Sequence, residues 1–294
     1  MRVSNILFVN RQINNTKIIL LLCSLIFPIP SILAAQELDL LNRPVNTSGL
    51  TGLIQTTSPF VLPSKTFEIS SAAQSENSFI PSYSLNQYSL SLSAGIGNDM
   101  EVSVKSSYYT YNMGSSGSRS RNIDDIDIFG KWNFIRQPDQ GAIQPSVSLI
   151  MGATIPAKNR DLITTTVDHW AAQIGLSAGS ELTWMDHVLG IYADAQIAVQ
   201  DLSQDMTKDR YYLANMGFLF PVSKNRNLQM LVEYNVVAGK DVLTASGGDY
   251  SAITYGLRLV NESFNLTFGT QFIHKKETGY EDSSRVIGLL SYKI

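Results

Sequence analysis

The amino-acid sequence predicts an all-β fold: a closed antiparallel transmembrane β-barrel of about twelve strands (10–14), with short periplasmic turns and long extracellular loops. Three observations predict it. Apolar and polar residues alternate strictly in segment after segment. The connections between those segments alternate in length. Aromatic residues collect at the segment ends.

The chain has 294 residues, a formal net charge of −3, 16% charged residues and 10% aromatics. The charged share lies below the roughly 25% of an average soluble domain. Near-neutral charge without a basic run argues against nucleic acid as a partner. At the N-terminus Arg2, Arg11 and Lys17 precede the apolar run IILLLCSLIFPIPSILAA. Pro28 and Pro30 interrupt that run before it could span a bilayer, and Ala34-Ala35 offer a cleavage point. Residues 1–35 read as a cleaved secretory signal peptide, 36–64 as a periplasmic N-terminal segment and 65–294 as the barrel. The single cysteine, Cys23, lies in the signal, so a mature chain has neither a disulfide nor a cysteine metal site.

The strands follow in order. KTFEISSAA near residue 65 opens the series, and QYSLSLSAGIG puts Tyr88, Leu90, Leu92 and Ile96 on one face. MEVSVKSSY sets Val102 and Val104 against Glu101 and Lys105. DDIDIFGKWNF sets Ile126, Ile128, Trp132 and Phe134 against Asp125, Asp127, Lys131 and Asn133. SVSLIMGATI, WAAQIGLSAGSELTW, VLGIYADAQIAV, YLANMGFLF, LQMLVEYNVV, AITYGLRLV and FNLTFGTQF repeat the pattern, and RVIGLLSYKI completes it. A period of two is the mark of a strand with two unlike faces.

Alternation alone suits a soluble sandwich as well as a barrel. The connections separate them. Those near Gly97-Asn98-Asp99, Met185-Asp186-His187 and Val260-Asn261-Glu262 are tight. TYNMGSSGSRSRN, PAKNRDLITTTVD, DLSQDMTKDR, AGKDVLTASGG and HKKETGYEDSS read as long polar loops. Short periplasmic turns alternating with longer outer loops belong to outer-membrane barrels. The expected aromatic girdles are Trp132, Phe134, Trp184, Phe220 and Tyr292 at one end, and Trp170, Tyr211, Tyr212 and Phe272 at the other. Trp170 and Trp184 bracket one strand; at about 3.3 Å per residue and a tilt of about 40° they stand roughly 35 Å apart along the normal, enough to reach both interfaces. An even strand count returns both ends of the barrel to one side, and in lipid every backbone group must pair, so the sheet must close.

RVIGLLSYKI resembles the C-terminal assembly signal of Gram-negative outer-membrane proteins. Val286, Leu290 and Tyr292 match, and Ile294 stands where that group usually has Phe. The resemblance implies handling by the barrel-assembly machinery during insertion. GLTGLIQTTSPFVLPSKTFEIS, residues 49–70, resembles the opening segment of the exopolysaccharide-linked YjbH type and of the transporter type associated with phenol meta-degradation operons. Their pattern is G-x-x-GLI-x-TP-x-A, a turn, then the first strand. Gly49, Gly52, Leu53, Ile54, Thr56 and Pro59 fit; Thr57-Ser58 intrudes, and Ser64-Lys65 replaces the usual Asp-Gly or Gly turn.

No enzyme site is expected. None of His169, His187 and His274 has a serine two residues on, as barrel lipases require, and His169 beside Asp168 is the nearest approach to a rim catalyst. The loop carboxylates Asp205, Asp209, Asp241, Asp249, Glu281 and Asp282 lack calcium-loop spacing. Catalytic residues, metal and cofactor are all expected to be none. The expected lumen charges are Glu101, Lys105, Asp125, Asp127, Lys131, Glu181, Asp194, Glu233, Arg258, Arg285 and Lys293. Their mixed signs either pair across a filled lumen or line a water-filled path. Small residues on the same face, among them Ser103, Gly175, Gly217, Gly256 and Gly269, are expected to leave room for a pore. The expectation is a passive channel or export-associated pore for a small solute in the outer membrane, surrounded by its lipids. The alternatives are a non-conducting structural or surface-interaction barrel and, behind both, an outer-rim hydrolase.

Overall fold

The computed structural model describes residues 43–79, 82–113, 118–138, 142–156, 170–184, 187–199, 210–222, 227–239, 249–261, 263–276 and 282–294. The expected signal peptide, the start of the N-terminal segment and His169 lie outside them. Twelve strands run in chain order: β1 (Phe67–Phe79), β2 (Ser82–Ile96), β3 (Met100–Met113), β4 (Ser118–Ile135), β5 (Ser146–Ile155), β6 (Ala171–Trp184), β7 (His187–Val199), β8 (Arg210–Pro221), β9 (Leu228–Ala238), β10 (Tyr250–Val260), β11 (Phe264–Lys275) and β12 (Ser283–Lys293). Each pairs antiparallel with its sequence neighbours, and β1 pairs with β12 from Glu68↔Lys293 to Asn77↔Ser284, so the sheet is a closed barrel. Phe67 and Ile294 exchange backbone hydrogen bonds at the end of that seam, 3.2 and 2.8 Å. Closure leaves no unpaired strand edge.

The alternation in sequence becomes an alternation of environment. Along β9, Gln229, Leu231, Glu233, Asn235 and Val237 are buried, and Met230 and Tyr234 are exposed. Around the barrel Leu90, Ile128, Met151, Leu176, Leu257 and Phe268 also face out. A soluble sandwich would hide these faces. Here the apolar face is the exterior, and the polar face is buried, as a bilayer demands.

The connections at one end, called here the short-turn end, are residues 97–99, 136–145, 185–186, 222–227 and 261–263. The opposite, long-loop end joins β5–β6 across 156–170, β7–β8 across 200–209, β9–β10 across 239–249 and β11–β12 across 276–282, but also β1–β2 and β3–β4, whose strand ends have only two and four residues between them in sequence. TYNMGSSGSRSRN is therefore not one long loop. The β3–β4 ladder continues through Tyr109↔Asn122 to Met113↔Ser118, because alternating Tyr, Thr and Ser suit a strand as well as a loop. A register shift between Ser106 and Tyr108 accompanies that extension.

Candidate functional site

The barrel contains part of its own chain. The segment expected beneath the barrel has its described residues, from Arg43 on, packed against lumen side chains. Leu50, Leu53, Ile54 and Leu62 are buried to 1% exposure or less. The reason is local. PVNTSGLTGLIQTTSP has no period of two, and its Gly, Asn, Ser and Thr favour turns over strand. Isolated bridges Val45↔Thr51 and Gly52↔Thr57 fold it into two stacked turns. The Asn46 carboxamide accepts from Ser48 N and Ser48 Oγ and donates to Thr57 Oγ1, 2.9, 2.6 and 3.1 Å. Gly49 supplies the left-handed φ of 87° for the first turn.

The wall holds this plug mostly through the plug's backbone. Glu233 on β9 accepts the successive N–H groups of Ile54, Gln55 and Thr56 at 3.2, 3.1 and 2.8 Å. Three amides converging on one carboxylate form an anion nest. Asp194 on β7 accepts Thr57 N at 2.8 Å. Glu101 on β3 accepts Thr51 N and Thr51 Oγ1, both at 2.8 Å. Glu68 on β1 accepts Val45 N at 3.1 Å. Arg258 on β10 donates to Gly52 O and Leu53 O at 3.2 and 2.9 Å. Lys131 on β4 donates to Ser58 O at 3.1 Å and pairs with Glu101 at 3.0 Å, both side chains fully buried. Arg43 pairs with Glu181 at 2.5 Å and lies 3.8 Å from the Phe60 ring centre. Asn133 reaches Pro59 O and Ser177 reaches Thr57 O.

The room seen in the sequence is thereby occupied. A Cβ on Gly217 would stand 2.3 Å from Leu53 Cδ1, and one on Gly269 would stand 2.5 Å from Ile54 Cδ1. Gly217, Gly256 and Gly269 are sockets for the plug's Leu53 and Ile54.

The remaining expected lumen charges sit elsewhere on the inner wall. Lys105 and Asp127 pair at 3.4 Å and keep some exposure. Asp125 is buried on the same strand face as Asp127. Lys293 is opposite Glu68 in register. Arg285 belongs to a cluster toward the long-loop end, where Glu76 takes Arg285 at 2.6 Å, Lys275 at 3.5 Å and the Tyr83 hydroxyl at 2.6 Å. Glu68, Glu76, Lys275 and Arg43 were missing from the sequence expectation. Parity could have supplied Glu68 and Glu76, which alternate with the outward Phe67 and Ile69 on β1, and Lys275, two residues beyond inward Ile273. Arg43 lies in no strand, so no periodic signal marks it.

Of the expected girdle, Trp132, Phe134, Trp170, Phe272 and Tyr292 are well exposed on the exterior, and Tyr212 and Phe220 share the outward parity of β8. Tyr211 does not belong with them. It pairs with buried Ala198 and faces the lumen, because neighbouring strand residues cannot share a face. Only the backbone of Trp184 is described. Val286, Leu290, Tyr292 and Ile294 of the expected assembly signal all face outward. His274 lies at the exposed long-loop rim, 2.8 Å from Asp282.

An apolar exterior, a polar interior and a closed twelve-strand sheet define the class: a β-barrel of the outer-membrane type, filled toward the short-turn end by its own N-terminal segment. No family model matches the sequence, and no curated protein matches it. Solved structures share the fold. The COG4313 outer membrane channel from Pseudomonas putida F1 superposes with a TM-score of 0.60 over 82% of this chain and 100% of its own, at 9% identity. The NanC porin superposes at 0.51 over 77% of this chain and 100% of its own, at 12% identity. At such identities the likeness is one of architecture.

Proposed function

We propose that this chain is an outer-membrane channel for a small solute, closed by its own N-terminal segment, with the short-turn end in the periplasm. The observation that carries the reading is the way the plug is fastened. Between Arg43 and Leu62 its backbone bonds are internal or go to wall side chains, and none joins a barrel ladder. The plug can therefore exchange its wall contacts for water while all twelve strand pairs stay intact. Both its ends lie toward the short-turn end, near Glu181 and Phe67, so it can withdraw as one loop. The stretch that resembles the opening of phenol-operon transporter barrels is this same plug. The channel named in the fold's relative from Pseudomonas putida supports the reading by analogy.

The alternative is a permanently filled, non-conducting barrel, favoured by the full burial of Leu53 and Ile54. Conductance of the refolded protein in a planar lipid bilayer separates the two. A gated channel gives discrete, salt-scaled steps separated by long closed periods. A silent bilayer, with the protein shown folded by heat-modifiable gel mobility, supports the filled barrel and overturns the channel.

A further inference from the structure

Directly above the plug, on its long-loop side, the inner wall changes character. Asp194 marks the boundary. Its Oδ2 accepts Thr57 N from below, and its Oδ1 accepts Gln196 Nε2 and Asn215 Nδ2 from above, at 2.7 and 2.9 Å. From there a ladder of carboxamides and one hydroxyl crosses strands β6 to β11. Gln173 donates to Gln196. Asn235 donates to Asn215 at 2.9 Å, and Thr254 donates to Asn235 at 3.2 Å. Gln271 donates to both Asn235 and Thr254, at 3.2 and 3.0 Å. The ladder ends at Gln271 Oε1, a buried acceptor with no hydrogen-bond partner among the described residues.

Across the lumen at this level Lys105 and Asp127 neutralise each other, and Thr154 Oγ1 donates to Asp127 at 2.8 Å. The layer thus sets carboxamides side by side, with Lys105 paired to Asp127 and Asp194 held by three donors. A carboxamide offers a donor and an acceptor together, as a vicinal pair of hydroxyls requires. Arg285, opposite Gln271 in register, is committed to Glu76 at 2.6 Å, so an anionic solute would compete with that carboxylate for it. An apolar one would leave Gln271 Oε1 unsatisfied. Tyr211, inward and two residues beyond Gln196's level through its pairing with Ala198, adds a flat ring above the layer.

We infer that this layer is a binding site for an uncharged polyhydroxylated solute, a neutral sugar or polyol. The inference rests on the channel reading for its role. Titration calorimetry of the refolded full-length chain with maltotriose tests it, with trigalacturonate as the charged comparison. Maltotriose is expected to bind, and Gln196→Leu and Asn235→Leu to weaken it at least tenfold while heat-modifiable mobility is retained. Gln173→Leu, at the ladder's free end, serves where a central variant fails to fold. No heat with maltotriose, equal affinity in the folded variants, or tighter binding of trigalacturonate would each overturn the inference. Bilayer recordings on the same preparations keep the two readings apart. Conductance without sugar binding overturns the site alone; sugar binding in a silent bilayer supports the site and overturns the channel.

Discussion

Glu233→Gln is the sharpest perturbation of the plug. The carboxylate is 1% exposed and accepts three successive backbone N–H groups. Gln55 N lies 3.1 Å from both of its oxygens. An amide keeps the shape but turns one oxygen into a donor, which then faces the Gln55 N–H donor. Hydrogen bonds to a charged group contribute about 1.5–3 kcal/mol each and neutral ones about 0.5–1.5 kcal/mol. Because the three bonds share two oxygens, the net loss falls short of threefold, at about 2 kcal/mol, or roughly 30-fold in the equilibrium between seated and released plug. The register of β9 with β8 and β10 rests on backbone bonds and is untouched. The assay is single-channel recording at fixed salt, with open probability as the readout. It should rise about 30-fold over wild type by the same conversion. An open probability within about twofold of wild type, in protein of normal heat-modifiable mobility, would refute the claim that the nest holds the plug.

Four further outcomes follow from the same geometry. Lys131→Met leaves Glu101 buried beside the plug without its cation and should cost about 3–5 kcal/mol in urea unfolding from bilayers, with Glu101→Gln added to it recovering part of the loss. Gly95→Ala places a Cβ 2.1 Å from Pro63 O, a backbone atom that cannot swing away, so a loss of about 1–3 kcal/mol is expected in the same assay. Lys65→Gly should stabilise by about 1 kcal/mol, because Lys65 holds φ at 64° in the turn leading into β1 where a Cβ is strained. Leu176→Arg, on the exterior near the middle of β6, should lower membrane insertion by about 2–4 kcal/mol, read as the folded fraction after refolding into vesicles.

The strands were legible because their cause is local. A period of two written in LQMLVEYNVV or SVSLIMGATI states which side chains share a face, and the exposed Met230, Tyr234 and Met151 show that the apolar face is the outer one. The lumen positions of Glu101, Lys131, Glu233 and Arg258 follow from the same parity. Where two readings of a local pattern compete, the sequence is a weaker guide. Tyr211-Tyr212 looks like a girdle pair until the pleat assigns one ring to each side. TYNMGSSGSRSRN reads as a loop until the β3–β4 ladder runs through it.

The sequence by itself determined a closed, apolar-out barrel of about twelve strands with charges inside. Only the tertiary structure decided what those charges are for. Glu233 meets Ile54, Gln55 and Thr56, and Arg258 meets Gly52 and Leu53, across more than half the chain. A backbone N–H is chemically alike at every residue, so no periodicity or motif announces which carboxylate will receive it. That choice is made by barrel closure, which brings distant strands around one axis and leaves a polar interior that the turn-rich N-terminal segment can satisfy.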